Sequence, residues 1–276
     1  MTKQRNILQW NMGCSRRASV KASVIDARIQ TLKNLLGERI PSVVALQEAP
    51  QNADALLQQS GFTVYGSGEL LLGMRNTDWT KGHPILQQSR VLTVEIQLPT
   101  QRILLVSNVH LLSRQHSEQQ DRENAAHEIL NAIEAQRVKY ANRVFGEIIV
   151  GDFNLNPHDG VMMMKNGFFA NRSKTFVKRM AVKSVLPKRP FYNPAWHIYG
   201  RTEEPLGSIY GTNPWDGPWL VFDQILMSAD LIGTGSHDVV VVTCANGVGL
   251  LTAPPVKRPD KAIGSDHLPL VSSFSV

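Results

Sequence analysis

Carboxylates, carboxamides and imidazoles stand at the ends of apolar runs in this sequence, where packing alone has no use for them. Ile7-Leu8-Gln9-Trp10 leads to Asn11, and Val43-Val44-Ala45-Leu46 leads to Gln47-Glu48. Ile103-Leu104-Leu105-Val106-Ser107-Asn108-Val109 leads to His110, and Ile148-Ile149-Val150-Gly151 leads to Asp152, with Asn154 two residues on. Ser265-Asp266-His267 opens the last apolar run. Side chains at one end of neighbouring strands in α/β folds converge on a crevice, so residues far apart in sequence can meet there. Asp223 differs, because it lies inside Leu220-Val221-Phe222-Asp223-Gln224-Ile225-Leu226. A carboxylate in such a strand needs a partner, since desolvating an unpaired charge is very costly. His110 and His267 are the two strand-end imidazoles that could serve. Pairing would orient the ring and favour its protonated form, the form that donates to an anion. Singly, each residue has an ordinary structural use. A strand-end Asp or Asn caps the following turn, and His83, His116, His127, His158, His197 and His237 read as surface or core histidines. Together, Asn11, Glu48, Asp152, Asn154, Asp223 and Asp266 form a hard-oxygen set without cysteine, which suits magnesium or manganese better than zinc.

The elements that must carry these residues follow from periodicity. Strands are expected over Asn6–Met12, Ser42–Leu46, Glu69–Met74, Val91–Leu98, Arg102–Val109, Glu147–Val150, Trp219–Met227, Val239–Thr243 and Leu268–Phe274. Helical spacing covers Ala22–Leu36, Ala53–Gln59, about Ser117–Tyr140, Val161–Phe168 and Thr175–Leu186. Pro99-Thr100-Gln101 reads as a hairpin turn between two of the strands. Crossover helices combined with hairpins imply an α/β protein with mixed rather than wholly parallel sheets. With no internal repeat or Gly/Ser linker, one domain over 1–276 is the simplest organisation. Pro187–Pro218 interrupts the pattern: it combines six prolines with Phe191, Tyr192, Trp196, Tyr199, Tyr210 and Trp215. Proline excludes regular structure there, and the aromatics argue for an ordered functional loop packed over the body.

Composition narrows the class. At 276 residues, 42% hydrophobic and 19% charged, the chain is too apolar for disorder and too weakly charged for a long coiled coil. No run approaches the roughly 18 apolar residues of a membrane span, and no signal-peptide core follows Met1. Two cysteines, Cys14 and Cys244, suit a reducing compartment, so a soluble cytoplasmic protein is expected. Net charge is +6 and pI near 9.4, which favours polyanionic partners. The excess is concentrated: no acidic residue lies between Asp159 and Glu203, where Lys165, Arg172, Lys174, Lys178, Arg179, Lys183, Lys188, Arg189 and Arg201 fall.

In order along the chain, Trp10-Asn11, Gln47-Glu48, Asn108-Val109-His110, Gly151-Asp152-Phe153-Asn154, Phe222-Asp223-Gln224-Ile225-Leu226 and Ser265-Asp266-His267-Leu268-Pro269 resemble the motifs of the endonuclease/exonuclease/phosphatase superfamily. The resemblance spans residues 10 to 269. It implies a four-layered α/β sandwich, two packed mixed or antiparallel sheets flanked by helices, and phosphoric-ester hydrolysis dependent on Mg2+ or Mn2+. By position it implies that Glu48 is the principal metal-binding carboxylate, with Asn11 and Asp266 as further ligands. Asp152 would orient and deprotonate the attacking water, and Asn154 would hold phosphate or nucleophile. His267, paired with Asp223, would donate to the scissile phosphate, and His110 would be a second donor.

Branches of that superfamily differ in substrate. Gln224 stands where inositol polyphosphate phosphatases carry an arginine, and the 187–218 loop lacks the tryptophan-rich pattern of an apurinic endonuclease. A nuclease acting on DNA or RNA is the expectation, with the basic stretch following the backbone and Trp196, Trp215 or Tyr210 stacking on bases. The alternative is a phosphatase or phosphodiesterase of a small phosphorylated metabolite or lipid head group. A third reading is a non-catalytic phosphate-binding module that kept the fold.

Overall fold

The structure is a computed structural model that describes residues 3–14, 20–79, 81–98, 101–114, 117–140, 144–183, 188–211, 217–233 and 238–276. Strand β1 (Gln4–Asn11) leads into helix α1 (Ala22–Arg39), strand β2 (Val43–Gln47) and helix α2 (Ala53–Gln59). Two hairpins follow, β3 (Phe62–Ser67) with β4 (Leu70–Arg75), and β5 (Gly82–Gln88) with β6 (Val91–Gln97). Next come β7 (Ile103–His110), the long helix α3 (Gln119–Lys139) and β8 (Val144–Asp152). Short elements occupy the middle: α4 (Gly160–Met163), β9 (Ala170–Asn171), α5 (Lys174–Lys183), β10 (Phe191–Tyr192), α6 (Trp196–Tyr199), β11 (Ile209–Tyr210) and β12 (Trp219–Leu220). The chain ends with β13 (Asp223–Ser228), β14 (Val240–Val241), β15 (Cys244–Ala245), β16 (Val248–Gly249) and β17 (Leu270–Ser275).

Two mixed sheets dominate. One runs β14-β17-β1-β2-β4-β3 and the other β5-β6-β7-β8-β13-β10-β9. β1 and β2 are parallel, as are β7 and β8, and a crossover helix joins each pair, as parallel neighbours require. The sheets pack face to face around Ile7, Val43, Ala45, Val106, Ile148 and Ile225. Outside the first sheet, Leu32, Leu35 and Leu57 of α1 and α2 cover Leu8, Val44 and Leu46. Outside the second, Ile129, Leu130 and Ile133 of α3 cover Val109 and Ile149. The result is the α/β/β/α sandwich. Central strands are buried on both faces, which is why they read as continuous apolar runs. Among the described residues no helix is long and apolar enough to cross a membrane.

Period-2 alternation sorts the inward-facing rows. Ile7, Gln9 and Asn11 share one face of β1, and Val43, Ala45 and Gln47 share one face of β2. Val106, Asn108 and His110 do so on β7, Ile148, Val150 and Asp152 on β8, and Met227, Ile225 and Asp223 on β13. Each row is apolar at one end of its strand and polar at the other. Register brings the polar ends level: Asn11 lies beside Gln47, and Asp152 beside both His110 and Asp223. The space between the sheets is therefore a hydrocarbon core that turns into a polar site along the strand direction.

Several elements differ from the periodicity reading. β3 and β5 lie outside the periodicity reading; both are edge strands, β3 burying only Phe62 despite its Phe62-Thr63-Val64-Tyr65 run and β5 burying none of its residues. The helix expected over Val161–Phe168 stops at Met163, where Met164 turns to extended backbone and the Phe168 amide bonds back to Val161. Trp219–Met227 is two strands, because the Val221 amide turns aside to Asn156 Oδ1 and the Phe222 carbonyl accepts from Phe153. The helix expected to end at Leu186 is described to Lys183. Pro99, Thr100, Pro187, Trp215, His116 and His237 lie outside the described residues.

Gly151 shows how tightly β7 and β8 approach beside the site. Its φ is +145°, and a Cβ there would lie 2.0 Å from the Val109 carbonyl oxygen. Backbone cannot yield as a side-chain tip can, so Gly151→Ala combines a disfavoured φ with overpacking. It should lower unfolding free energy by at least ~3 kcal/mol, read as a fall in the urea midpoint.

Candidate functional site

Asp152 is the innermost group. Burial at the end of β8 leaves it 1% exposed. Its Oδ1 accepts the Asn154 amide at 2.8 Å, and Oδ2 accepts the Asn11 carboxamide at 3.0 Å. Two imidazoles face Oδ2 from opposite flanks, His110 Nε2 and His267 Nε2, both at 3.8 Å. Desolvation raises the Asp152 pKa and the Asp223 charge adds to this, against the lowering pull of His267, His110 and the Asn154 amide. A carboxylate so placed has more basicity than an exposed one.

His267 is the ring that touches Asp223, with Nδ1 2.8 Å from Oδ2. The other Asp223 oxygen accepts Gln9 Nε2 at 2.6 Å. Burial works against the imidazolium, but the charges of Asp223 and Asp152, the Asp223 hydrogen bond and Asp266 outweigh it and lift the pKa from 6.5 to about 10. The backbone of His267 is held as well: its carbonyl accepts Trp10 Nε1 at 3.0 Å, and the next amide, Leu268, donates to Ser208. With Nδ1 committed to Asp223, Nε2–H is the donor presented toward Asp152.

A buried amide chain stands behind these groups. Gln9 Nε2 also donates to Gln47 Oε1 at 2.8 Å, and Gln47 Nε2 donates to Asn108 Oδ1 at 2.5 Å. Asn108 Nδ2 donates to the carbonyls of Leu46 and Leu71 across the sandwich. These residues hold the two sheets in register at the polar end. Sequence reading gave Gln9, Gln47 and Asn108 no role; their signal was polar identity on the inward face of otherwise apolar strands.

Glu48 leaves β2 with φ +46°, a conformation that costs a non-glycine residue energy and aims the chain into the cleft. Its Oε1 is 3.5 Å from His110 Nε2. Asn11 donates to Asp152 while its Oδ1 accepts the Gly13 amide at 3.0 Å. Asn154, also at positive φ, donates from Nδ2 to the Leu111 carbonyl. Asp266 sits at the rim, with Ser265 Oγ at 3.1 Å and Lys261 Nζ at 3.2 Å. Against the raising effect of burial, His267 and Lys261 hold its pKa below the usual value.

Two groups could hold a cation. Ligand atoms of Asp152, Asp223 and His267 lie within 4.8 Å of one another, close enough to share a metal ion. In that group His267 Nδ1 and both Asp223 oxygens are already hydrogen-bonded, and the raised imidazole pKa keeps a proton where a metal would need a lone pair. Glu48, Asn11 and Asp266 offer oxygen donors only, Asp266 in ionised form, which is the donor chemistry of Mg2+ or Mn2+. Asn11 Oδ1 and both Asp266 oxygens have partners as well, in the Gly13 amide, Ser265 Oγ and Lys261 Nζ, so both groups stand as candidates.

The basic stretch is not where sequence order put it. β10 pairs with the Met227–Ser228 end of β13, five residues from Asp223, and α5 packs on β9, β10 and the turn after Ser228. Lys174, Lys178, Arg179 and Lys183 therefore lie near the apolar end of the strands, about 16 Å of strand away from the site. Lys188 pairs with Glu134 and Arg189 with Asp230. Arg258 and Lys261 stand at the rim of the site instead, where with Tyr210 and Asp266 they line a 330 Å³ pocket. A larger cleft, 850 Å³, opens beside Glu48 between Cys14, Ala49–Asn52 and Gly66–Gly68. Of the loop aromatics, Phe191 and Tyr192 are core, Tyr210 packs edge-on against Trp219, and Trp196 packs on Tyr199.

No family model matches the sequence, and no curated protein does. Solved structures match along the whole chain. An endonuclease/exonuclease/phosphatase family protein from Bacteroides thetaiotaomicron superposes with a TM-score of 0.63 at 12% identity, covering 100% of this chain and 98% of its own. TDP2 from D. rerio, solved in complex with a single-strand DNA product, gives 0.59 at 16% identity and covers 99% of each chain. The catalytic domain of human Nocturnin, with a bound sulfate anion, gives 0.54 at 16%, covering 98% and 94%. The chain has the endonuclease/exonuclease/phosphatase fold.

Because the folded pKa of His267 lies above its unfolded value, this group adds stability that is complete below about pH 6.5 and lost as pH rises through about 10. In 15N-edited spectra of the metal-free protein, both His267 ring nitrogens should stay protonated at pH 8. Asp223→Asn should return the ring to neutrality at that pH. A wild-type ring titrating near 6.5 would contradict the assignment.

Proposed function

We propose that this protein is a phosphoric-ester hydrolase dependent on Mg2+ or Mn2+, acting on phosphodiester bonds of DNA or RNA through one catalytic domain over 1–276. The observation that carries the reading is the Asp152 cup: a buried carboxylate flanked by two imidazole Nε2 atoms, one of them proton-loaded by Asp223. Attack on a phosphate ester requires a base for the incoming water and fixed donors for the charge that builds on the phosphoryl oxygens.

Asp152 orients the water and accepts its proton, its basicity supported by burial. His267 presents Nε2–H to a phosphoryl oxygen, and Asp223 keeps the proton on the ring and the ring in place. His110 presents a second nitrogen from the other flank. Asn154, its carboxamide anchored on the Leu111 carbonyl, would hold phosphate or nucleophile. A divalent ion held by Glu48, Asn11 and Asp266 would supply Lewis-acid stabilisation of the phosphoryl oxygens and leaving group. Nucleic acid as substrate is supported by the net charge, by Arg258 and Lys261 beside Asp266, and by the likeness to a TDP2 structure that contains single-strand DNA. Two free cysteines fit a cytoplasmic setting.

The deciding assay is a panel of single- and double-stranded DNA, RNA and small phosphate esters with Mg2+, Mn2+ or chelator. Hydrolysis of nucleic acid that chelator abolishes is expected; turnover of small esters alone would assign a phosphatase instead. Asp152→Ala and His267→Ala should each cost roughly 100- to 1,000-fold in kcat while the circular dichroism spectrum is kept. An Asp152→Ala protein with wild-type turnover would falsify the mechanism. For Asp152→Asn, anisotropy titration of a labelled single strand should show log affinity falling with log salt, with a slope of about −0.7 per phosphate contacted. A flat response argues against a nucleic acid substrate.

A further inference from the structure

Arg28 lies on α1, outside the site, and is 5% exposed. A buried guanidinium ordinarily keeps a carboxylate beside it. Arg28 has none within ion-pair distance among the described residues, and its donors go instead to backbone. Nη1 donates to the carbonyls of Met12 and Gly13 at 2.7 and 2.8 Å and to Cys14 Sγ at 3.2 Å. Nε donates to the Gly264 carbonyl at 2.6 Å, and Nη2 to that of Lys261 at 3.3 Å. One planar fork thus ties the segment that continues from Asn11 to the segment that precedes Asp266.

Gly13 marks the point where they meet. Its φ is +61°, and a Cβ there would come within 2.9 Å of Ser265 Oγ, 3.2 Å of Asp266 Oδ1 and 3.3 Å of Arg28 Nη1. The Gly13 amide in turn donates to Asn11 Oδ1. The chain between Asn11 and Cys14 and the chain between Lys261 and Asp266 are drawn together here without ladder pairing, by the Arg28 fork and, next to it, by the Trp10 Nε1 bond to the His267 carbonyl. β1 and β17 pair between Gln4–Ser275 and Gln9–Leu270, below this level.

We propose that Arg28 is a positioning residue for the cation seat: it sets Asp266 against Asn11 by clamping their two backbone segments, without touching substrate or metal. This rests on Glu48, Asn11 and Asp266 being the ligand set, and it adds a residue that the proposed chemistry does not use. The fork geometry matters, because a lysine ammonium can reach some of these carbonyls but not all of them at once. Groups that orient ligands from behind typically account for 10- to 100-fold in metal affinity or activity.

The test compares Arg28→Met, Arg28→Lys and Leu32→Ala, the last removing core packing on the same helix one turn away. Mn2+ affinity is read by electron paramagnetic resonance, kcat and KM on the best substrate, and stability by urea unfolding. Arg28→Met should lose at least tenfold in Mn2+ affinity and in kcat with KM within twofold, and Arg28→Lys should fall between it and wild type. Leu32→Ala should keep both at an equal or larger loss of stability. Acting through Asp266, Arg28→Met should cost less than twofold further in Mn2+ affinity when added to Asp266→Asn. Arg28→Met binding Mn2+ as Leu32→Ala does, or full additivity with Asp266→Asn, overturns the proposal. If Arg28→Met does not fold, the same comparisons with Arg28→Lys decide. A wild type that binds Mn2+ without hydrolysing any phosphate ester overturns the functional reading and leaves this one standing.

Discussion

The Asp223–His267 pair is the interaction on which the rest of the structure depends. An ion pair removed from water survives only where its remaining hydrogen-bonding capacity is met, since desolvation otherwise exceeds the mutual attraction. Here the second Asp223 oxygen is met by Gln9 from the opposite sheet, and the two residues come from strands 214 positions apart in sequence. The pair can exist only if both sheets are formed and in register. Removing Gln9 would leave a buried carboxylate oxygen without its donor, so fold and site are coupled through a single hydrogen bond.

The same logic extends through the polar end of the sandwich. Gln9, Gln47 and Asn108 pass a chain of hydrogen bonds from one sheet to the other, ending on the backbone of β2 and β4. Such a network rigidifies a core to the extent that its members are satisfied, and here Gln9 Oε1 is its one oxygen left without a partner among the described residues. Stability comes from the apolar end of each strand row, where Ile7, Val43, Val106 and Ile148 pack. The other end accepts costs: positive φ at Glu48 and Asn154, and a close backbone approach at Gly151. Dividing each strand lengthwise lets one core support a strained, charged site.

Much of this was legible in the linear chain. Helix α2 matches its periodicity reading to the residue, and α1 begins where expected, because amphipathic spacing reports burial on one face. Polar residues closing apolar runs marked Asn11, Glu48, His110, Asp152 and Asp266, since alternation on a doubly buried strand makes any polar residue conspicuous. Edge strands β3 and β5 escaped notice because solvent on one side permits almost any residue there. Gln47 and Asn108 stood within the motifs, yet neither they nor Gln9 disclosed a bracing role, because an amide can satisfy itself in many settings.

What the sequence determined alone is the inventory: which strands are central, which polar groups sit at their ends, and that the set is hard oxygen plus imidazole. Those properties follow from local patterning. Tertiary structure decided that His267 rather than His110 meets Asp223, that the lysines and arginines of α5 lie near the other end of the strands, and that Arg28 reaches two distant backbone segments. Each of these depends on strand order and register across sheets, which place residues in space by pairing and crossover rather than by their distance along the chain.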